Sequence, residues 1–259
     1  MSLALAPSTD LRRANGEAGF FAPMRRGQVP EGGLKYWLSL CAASVLGCNT
    51  GDAFAMAFGT LAGLPLLIAG FAATLILGRR AGRPTQAFYW LAIILVRTAA
   101  TNLADFAGQR FGAAAFAVVA ALFAATLFKA RGAAAQPSNA LPSVDGLYWL
   151  RMLLAGTLGT MLGDMGSFMS GLGLGGASLA LSGMVAALIA ARQAGVIAST
   201  LSFWFIVVAI RAAGTSLGDF SAHQIGLGAS AAVAALALGA ILFFRAKPPA
   251  RPAPLAAAS

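Results

Sequence analysis

Four aspartates, Asp52, Asp105, Asp164 and Asp219, lie inside long apolar stretches. A carboxylate at the centre of a membrane helix costs on the order of 2.5–3.5 kcal/mol on insertion scales and less toward its end, so it is expected to face protein or water rather than lipid. The chemistry open to it there is narrow: it can bind a small cation, exchange a proton, or pair with an arginine. Each Asp stands fifteen residues after a tryptophan, at Trp37, Trp90, Trp149 and Trp204, and these are the four tryptophans of the chain. Each is followed seven residues later by a glycine, at Gly59, Gly112, Gly171 and Gly226. A Trp-x14-Asp-x6-Gly frame repeated at intervals of 53, 59 and 55 residues marks an internally duplicated chain.

Residues four apart share one face of a helix, so the neighbours of each Asp at that spacing define its surroundings. The second repeat reads Arg97, Thr101, Asp105, Gln109, and the fourth reads Arg211, Thr215, Asp219, His223. The first reads Ser44, Cys48, Asp52, Met56, and the third Gly156, Thr160, Asp164, Phe168. Thr101, Thr160 and Thr215 would add neutral oxygens to a path lined by the carboxylates. Arg97 and Arg211 line the same path and are expected to pair with an Asp of a neighbouring repeat rather than to touch a substrate; the alternative is that they line a path for anions. Two arginines against four aspartates leave two negative charges, which a bound cation or protonation would offset. His223, the sole histidine, falls at the outer mouth of the same path, where an ordinary interfacial role is favoured over a relay or ligand. Beside this stripe run small residues four apart, Gly47/Gly51, Ala100/Ala104, Gly159/Gly163 and Gly214/Gly218, a spacing that lets helices approach closely in lipid.

The elements that carry these residues follow from composition. Of 259 residues 59% are hydrophobic and 10% charged, far from the roughly 45–50% and about 25% of a soluble domain. Mean hydropathy is +0.79. At about 20 apolar residues per span, the sequence predicts eight transmembrane helices over 35–57, 60–78, 87–109, 112–129, 147–169, 174–191, 200–223 and 227–245. The fold class is therefore an all-α membrane protein of four parallel helical hairpins with pseudo-fourfold, degraded to twofold, symmetry. The repeats occupy 34–80, 87–131, 146–192 and 200–247. Segments 1–33 and 248–259 are expected to be disordered, and neither contains a soluble catalytic module.

A net charge of +10 would suggest nucleic acid in a soluble protein, but its distribution argues for a membrane. Fifteen of the eighteen bases fall on one side of the predicted spans, leaving Arg97, Arg110 and Arg211. By the positive-inside tendency that side is cytoplasmic. The expected location is the inner membrane, multi-pass, with both termini cytoplasmic and no nucleic-acid partner. The four tryptophans then fall at the inner interface, where they are expected to act as anchors. Cys41 and Cys48 lie two turns apart on one helix, too far for a mutual disulfide.

With its four Trp–Asp pairs over residues 34–247, the chain resembles a bacterial family of integral membrane proteins built from four tandem repeats. Each repeat of that family has two transmembrane helices and a characteristic tryptophan, and it is a repeat of unknown function. The resemblance implies fold and location, not activity.

Catalysis is not expected. The Asp contexts, Gly51-Asp52, Ala104-Asp105, Gly163-Asp164 and Gly218-Asp219, lack the Gly-x-Gly-Asp of membrane aspartyl proteases. No His-Glu-x-x-His, Cys/His cluster, phosphate loop or nucleophile elbow occurs either. The expected function is a transporter or channel-like protein moving a small ion or solute, preferably a cation and proton-coupled. Its ion or proton would bind Asp52, Asp105, Asp164 and Asp219, without cofactor or resident metal. The alternative is a non-transporting scaffold in which these residues are structural. The expected partners are the bilayer, the small solute and a second copy of the chain.

Overall fold

The computed structural model describes residues 23–24, 27–81, 85–128, 141–169 and 171–244. The expected disorder of 248–259 and most of 1–33 falls outside these residues, as do the bases at Lys129, Arg131, Arg245 and Lys247. Among the described residues the chain is all helical, with eight helices and no strand. They are α1 (Leu34–Phe58), α2 (Leu64–Arg80), α3 (Ala87–Phe111), α4 (Ala113–Phe128), α5 (Gly146–Met169), α6 (Gly173–Gln193), α7 (Thr200–Ile225) and α8 (Leu227–Phe243).

Helix breaks coincide with the repeated glycine. Gly59, Gly112 and Gly226 end α1, α3 and α7 with φ of 80°, 53° and 86°, and Gly171 after α5 has φ 72°. Positive φ is open to glycine at little cost, so one residue stops an outgoing helix and turns the chain back. At the opposite end, Ser199 starts α7 with a reciprocal capping box, its Oγ accepting from the Ser202 N–H at 3.0 Å while Ser202 Oγ accepts from the Ser199 N–H at 3.1 Å.

Three helices, α3, α6 and α7, are long and apolar enough to cross a membrane. Two others, α4 and α8, are apolar but shorter, at 16 and 17 residues. In α1 and α5, of nearly the same length as α3, interspersed Gly, Ser, Thr and Asn dilute the apolar run.

Packing separates the helices into two kinds. The outgoing helices form a closed inner ring, α1 on α3, α3 on α5, α5 on α7 and α7 on α1. Each returning helix leans on the outgoing helix of the next repeat: α2 on α3, α4 on α5, α6 on α7, and α8 back on α1. The outer helices bury only a narrow strip. In α8 it is Ser230, Ala234 and Leu238, four residues apart, and in α4 it is Ala115, Phe123 and Leu127. Their other faces expose Val118, Leu122, Val233 and Leu236. Apolar faces of this extent mark contact with lipid or protein rather than water.

The small residues predicted to face a neighbour set the order of the ring. A Cβ on Gly47 would strike the Arg97 side chain, and one on Gly51 would lie 2.8 Å from Thr101 Cβ. A Cβ on Gly159 would strike Arg211, and one on Gly163 would lie 2.8 Å from Thr215 Cβ. A Cβ on Gly214 would strike Ser44, and one on Gly218 would lie 3.3 Å from Cys48 Cβ. On the remaining seam the pair is Ala100 against Gly156. Each repeat's small stripe thus holds the polar stripe of the next repeat, around the ring and back to the first. Sizes are matched: glycines receive arginine or serine, and alanine receives glycine.

Candidate binding site at the ring centre

The stripe of residues four apart on α1, α3, α5 and α7 stacks in layers. At one end are Tyr36, Tyr89, Tyr148 and Phe203, each preceding a repeat tryptophan and each buried. The three hydroxyls meet, with Tyr89–Tyr148 at 2.5 Å, Tyr89–Tyr36 at 3.2 Å and Tyr36–Tyr148 at 3.4 Å. The next layer, Leu40, Ile93, Met152 and Val207, has no exposed surface. After it come Ser44, Arg97, Gly156 and Arg211, then Cys48, Thr101, Thr160 and Thr215, all buried. Only the fifth layer, Asp52, Asp105, Asp164 and Asp219, is partly exposed, and beyond it Met56, Gln109, Phe168 and His223 are open to the outside.

The four aspartates converge. Asp219 acts electrostatically on Asp52, Asp105 and Asp164, and Arg97 lies within Coulombic reach of all four. Cys48 donates its S–H to Asp219 Oδ1 at 3.8 Å, and the ligand atoms of Cys48, Asp52 and Asp219 lie within 4.8 Å of one another. Beside Asp105 and Asp164, residues of α3, α4 and α5 line a cavity of 580 Å³, among them Gln109, Phe116, Met161 and Phe168. His223 lies outside this convergence, exposed on the last turn of α7.

The two arginines depart from the expected Arg–Asp pairing. Arg97 crosses the ring toward the Asp side and is held by threonines of three helices. Its Nη1 donates to Thr101 Oγ1 at 2.9 Å and Thr160 Oγ1 at 2.5 Å, and its Nη2 donates to Thr215 Oγ1 at 2.7 Å and the Arg211 carbonyl at 3.5 Å. Thr101 and Thr215 are free to receive it because their hydroxyl protons go elsewhere, to the carbonyls of Arg97 and Arg211 one turn back. Arg211, in the same layer on the opposite helix, extends the other way. Its Nη2 reaches only Met152 Sδ at 4.0 Å, and its Nε and Nη1 are buried without a partner. The residues at this level with unmet hydrogen bonds also include Ser44 Oγ and Arg97 Nε.

The tryptophans correct the sequence reading. Trp37, Trp90, Trp149 and Trp204 are buried, not set against lipid as interfacial anchors. Each packs on the aromatic residue of the preceding repeat, Trp90 on Tyr36 at 5.9 Å, Trp149 on Tyr89 at 5.8 Å, Trp204 on Tyr148 at 5.5 Å and Trp37 on Phe203 at 5.3 Å. The indole N–H groups of Trp37, Trp90 and Trp204 have no partner, so the rings serve by shape, wedged into the seams. Cations cover this layer. Arg151 lies 5.7 Å from the Trp204 ring and Arg192 5.7 Å from those of Trp37 and Phe203, a distance at which the ring quadrupole attracts charge. The tyrosine cluster is the element that sequence reasoning missed, although an aromatic residue before every tryptophan was its visible signal.

Residues 202–247 match a family described as Repeat of Unknown Function (DUF347). They span all but the first two residues of α7 and the whole of α8, within the fourth repeat as delimited from sequence. No curated protein and no solved structure matches the chain.

Proposed function

We propose that the chain is an eight-span protein of the bacterial inner membrane, built as four tandem hairpin repeats about an axis normal to the bilayer with both termini cytoplasmic. It moves a small cation, coupled to protons, through the vestibule formed by Asp52, Asp105, Asp164 and Asp219. The observation that carries this reading is the convergence of four carboxylates from four helices at the open end of a ring that is filled below them. Carboxylates that repel one another in a poorly solvated mouth lose that repulsion when they share a cation or protons. Thr101, Thr160 and Thr215 lie directly beneath, and Arg97 tunes the charge of the site from below. The buried arginine, apolar and tyrosine layers are the closed gate that an ion would have to pass, so the described arrangement is a state open on one side only.

A scaffold reading draws on one observation, the Arg97 tie across α3, α5 and α7, which knits the ring without any solute. Flux separates the two. With all four Asp replaced by Asn, proteoliposomes screened against monovalent and divalent cations and protons should lose a flux that the unaltered protein supports, while the variant stays monodisperse. Flux that survives the fourfold replacement removes the Asp site, and an absence of flux in both proteins leaves the scaffold.

A further inference from the structure

Arg97 and Arg211 occupy equivalent positions in repeats two and four, on helices that face each other across the ring, yet they point in opposite directions. Arg97 takes three threonine oxygens: its own repeat's Thr101, the next repeat's Thr160 and the opposite repeat's Thr215. The same three positions counted from Arg211 are Thr215, Cys48 and Thr101. Two of those residues are thus shared between the arginines, and the third differs. Arg97 would hydrogen-bond a hydroxyl there, whereas Arg211 would meet the Cys48 sulfur, a weak acceptor already engaged with Asp219.

We infer that the threonine layer is a single socket for which Arg97 and Arg211 compete, and that Cys48 decides the winner. Both guanidiniums cannot enter together. They would stand side by side as like charges in a poorly screening interior, and the oxygens of the shared Thr101 and Thr215 already accept from Arg97. The loser is left as Arg211 is found, with Nε and Nη1 buried and unpartnered against Met152. Such a group holds its place only because a better one is taken. The cradles allow the exchange, since Gly47 receives the base of Arg97 just as Gly159 receives that of Arg211. The guanidinium in the socket is the one within reach of the carboxylates, so an exchange passes the charge below the Asp ring from α3 to α7.

Guanidinium NMR of the full-length protein, labelled with 15N-arginine and held in lipid nanodiscs, tests this independently of transport. In the unaltered protein the assigned Arg97 should show slowly exchanging, hydrogen-bonded Nη signals and Arg211 none. In Arg97→Gln the Arg211 signals should move to the positions Arg97 had. In Cys48→Thr, which makes the two sets of partners alike, both arginines should show two populations of comparable size. Arg211 signals that stay where they were in Arg97→Gln, or a single undisturbed population in Cys48→Thr, would overturn the shared socket. The conservative Cys48→Thr change keeps the question open should Arg97→Gln fail to fold.

Discussion

At the scale of single residues, the ring is controlled by whether a neighbour can give way. A methyl on Gly159 would meet not only Arg211 but the Val208 carbonyl at 2.9 Å and the Ala212 nitrogen at 3.0 Å. Helix backbone cannot rotate aside as a side chain does, so Gly159→Ala must push α5 from α7, at a cost of about 1–3 kcal/mol for an overpacked contact. Gly183, in the middle of α6, has nothing within 4 Å of a Cβ. There the same change should be neutral or stabilise the helix by up to about 1 kcal/mol through propensity. Thermal unfolding of both variants in one detergent decides this, and equal midpoints would refute the cradle. The Arg97 tie makes a second comparison. Thr160→Val removes an acceptor from a buried charge and is expected to cost about 1–3 kcal/mol, whereas Thr160→Ser keeps the oxygen and should retain most of the stability. If valine and serine behave alike, the 2.5 Å contact contributes nothing.

At the scale of elements, the outgoing helices were legible because function and packing lie on adjacent stripes of known period. Asp at fifteen residues from Trp, Thr four residues before it and small residues beside both locate the inner face without coordinates. The direction of the arginines was not legible. Arg97 and Arg211 share the pattern Arg-x3-Thr-x3-Asp, and the acceptor that separates them, Thr160 against Cys48, lies on the next outgoing helix around the ring. The tryptophans misled for a related reason: an amphipathic ring near a helix end suits a membrane interface, and burial in a seam depends on a helix distant in sequence. The turns were legible and carry a prediction of their own. Gly112 ends α3 at φ 53° and ψ −130°, with nothing within 4 Å of a Cβ. Any loss in Gly112→Ala therefore comes from backbone conformation alone, about 1–3 kcal/mol for a region nearly reserved to glycine. Gly108→Ala, one turn earlier in the same helix and equally unobstructed, is the control. A drop in melting temperature for the second as large as for the first would mean that open space, not φ, had been misjudged.

At the scale of the whole molecule, the consequential fact is that the last helix returns to the first. α8 packs on α1 as α2 packs on α3, and the seam is polar. Asn49 Nδ2 donates to Ser230 Oγ at 2.6 Å, Ser230 and Ser221 share a hydrogen bond at 2.5 Å, and Ser221 donates to the Gly218 carbonyl at 3.0 Å. Hairpin sequence alone leaves open whether four repeats form a row or a ring, because closure is a contact between the ends of the chain. A row would leave the stripe of α7 and the polar face of α1 unpartnered. The ring buries both, with Gly214 against Ser44 and Gly218 against Cys48. The two halves then meet at two seams, α3 and α4 with α5, and α7 and α8 with α1, and the covalent link between repeats two and three is expected to be dispensable. Splitting the gene between 132 and 140 and co-expressing the halves, with a tag on one, should yield a complex of one copy of each half. It should be monodisperse in mild detergent, with a melting temperature lowered only by the entropy of association. Asn49→Leu in the split protein should loosen it further, since that change strands the Ser230 hydroxyl at the closing seam. Halves that purify separately while the intact chain remains folded would mean that the α1–α7 and α1–α8 contacts do not hold the ring shut, and the convergence of the four aspartates would lose its support.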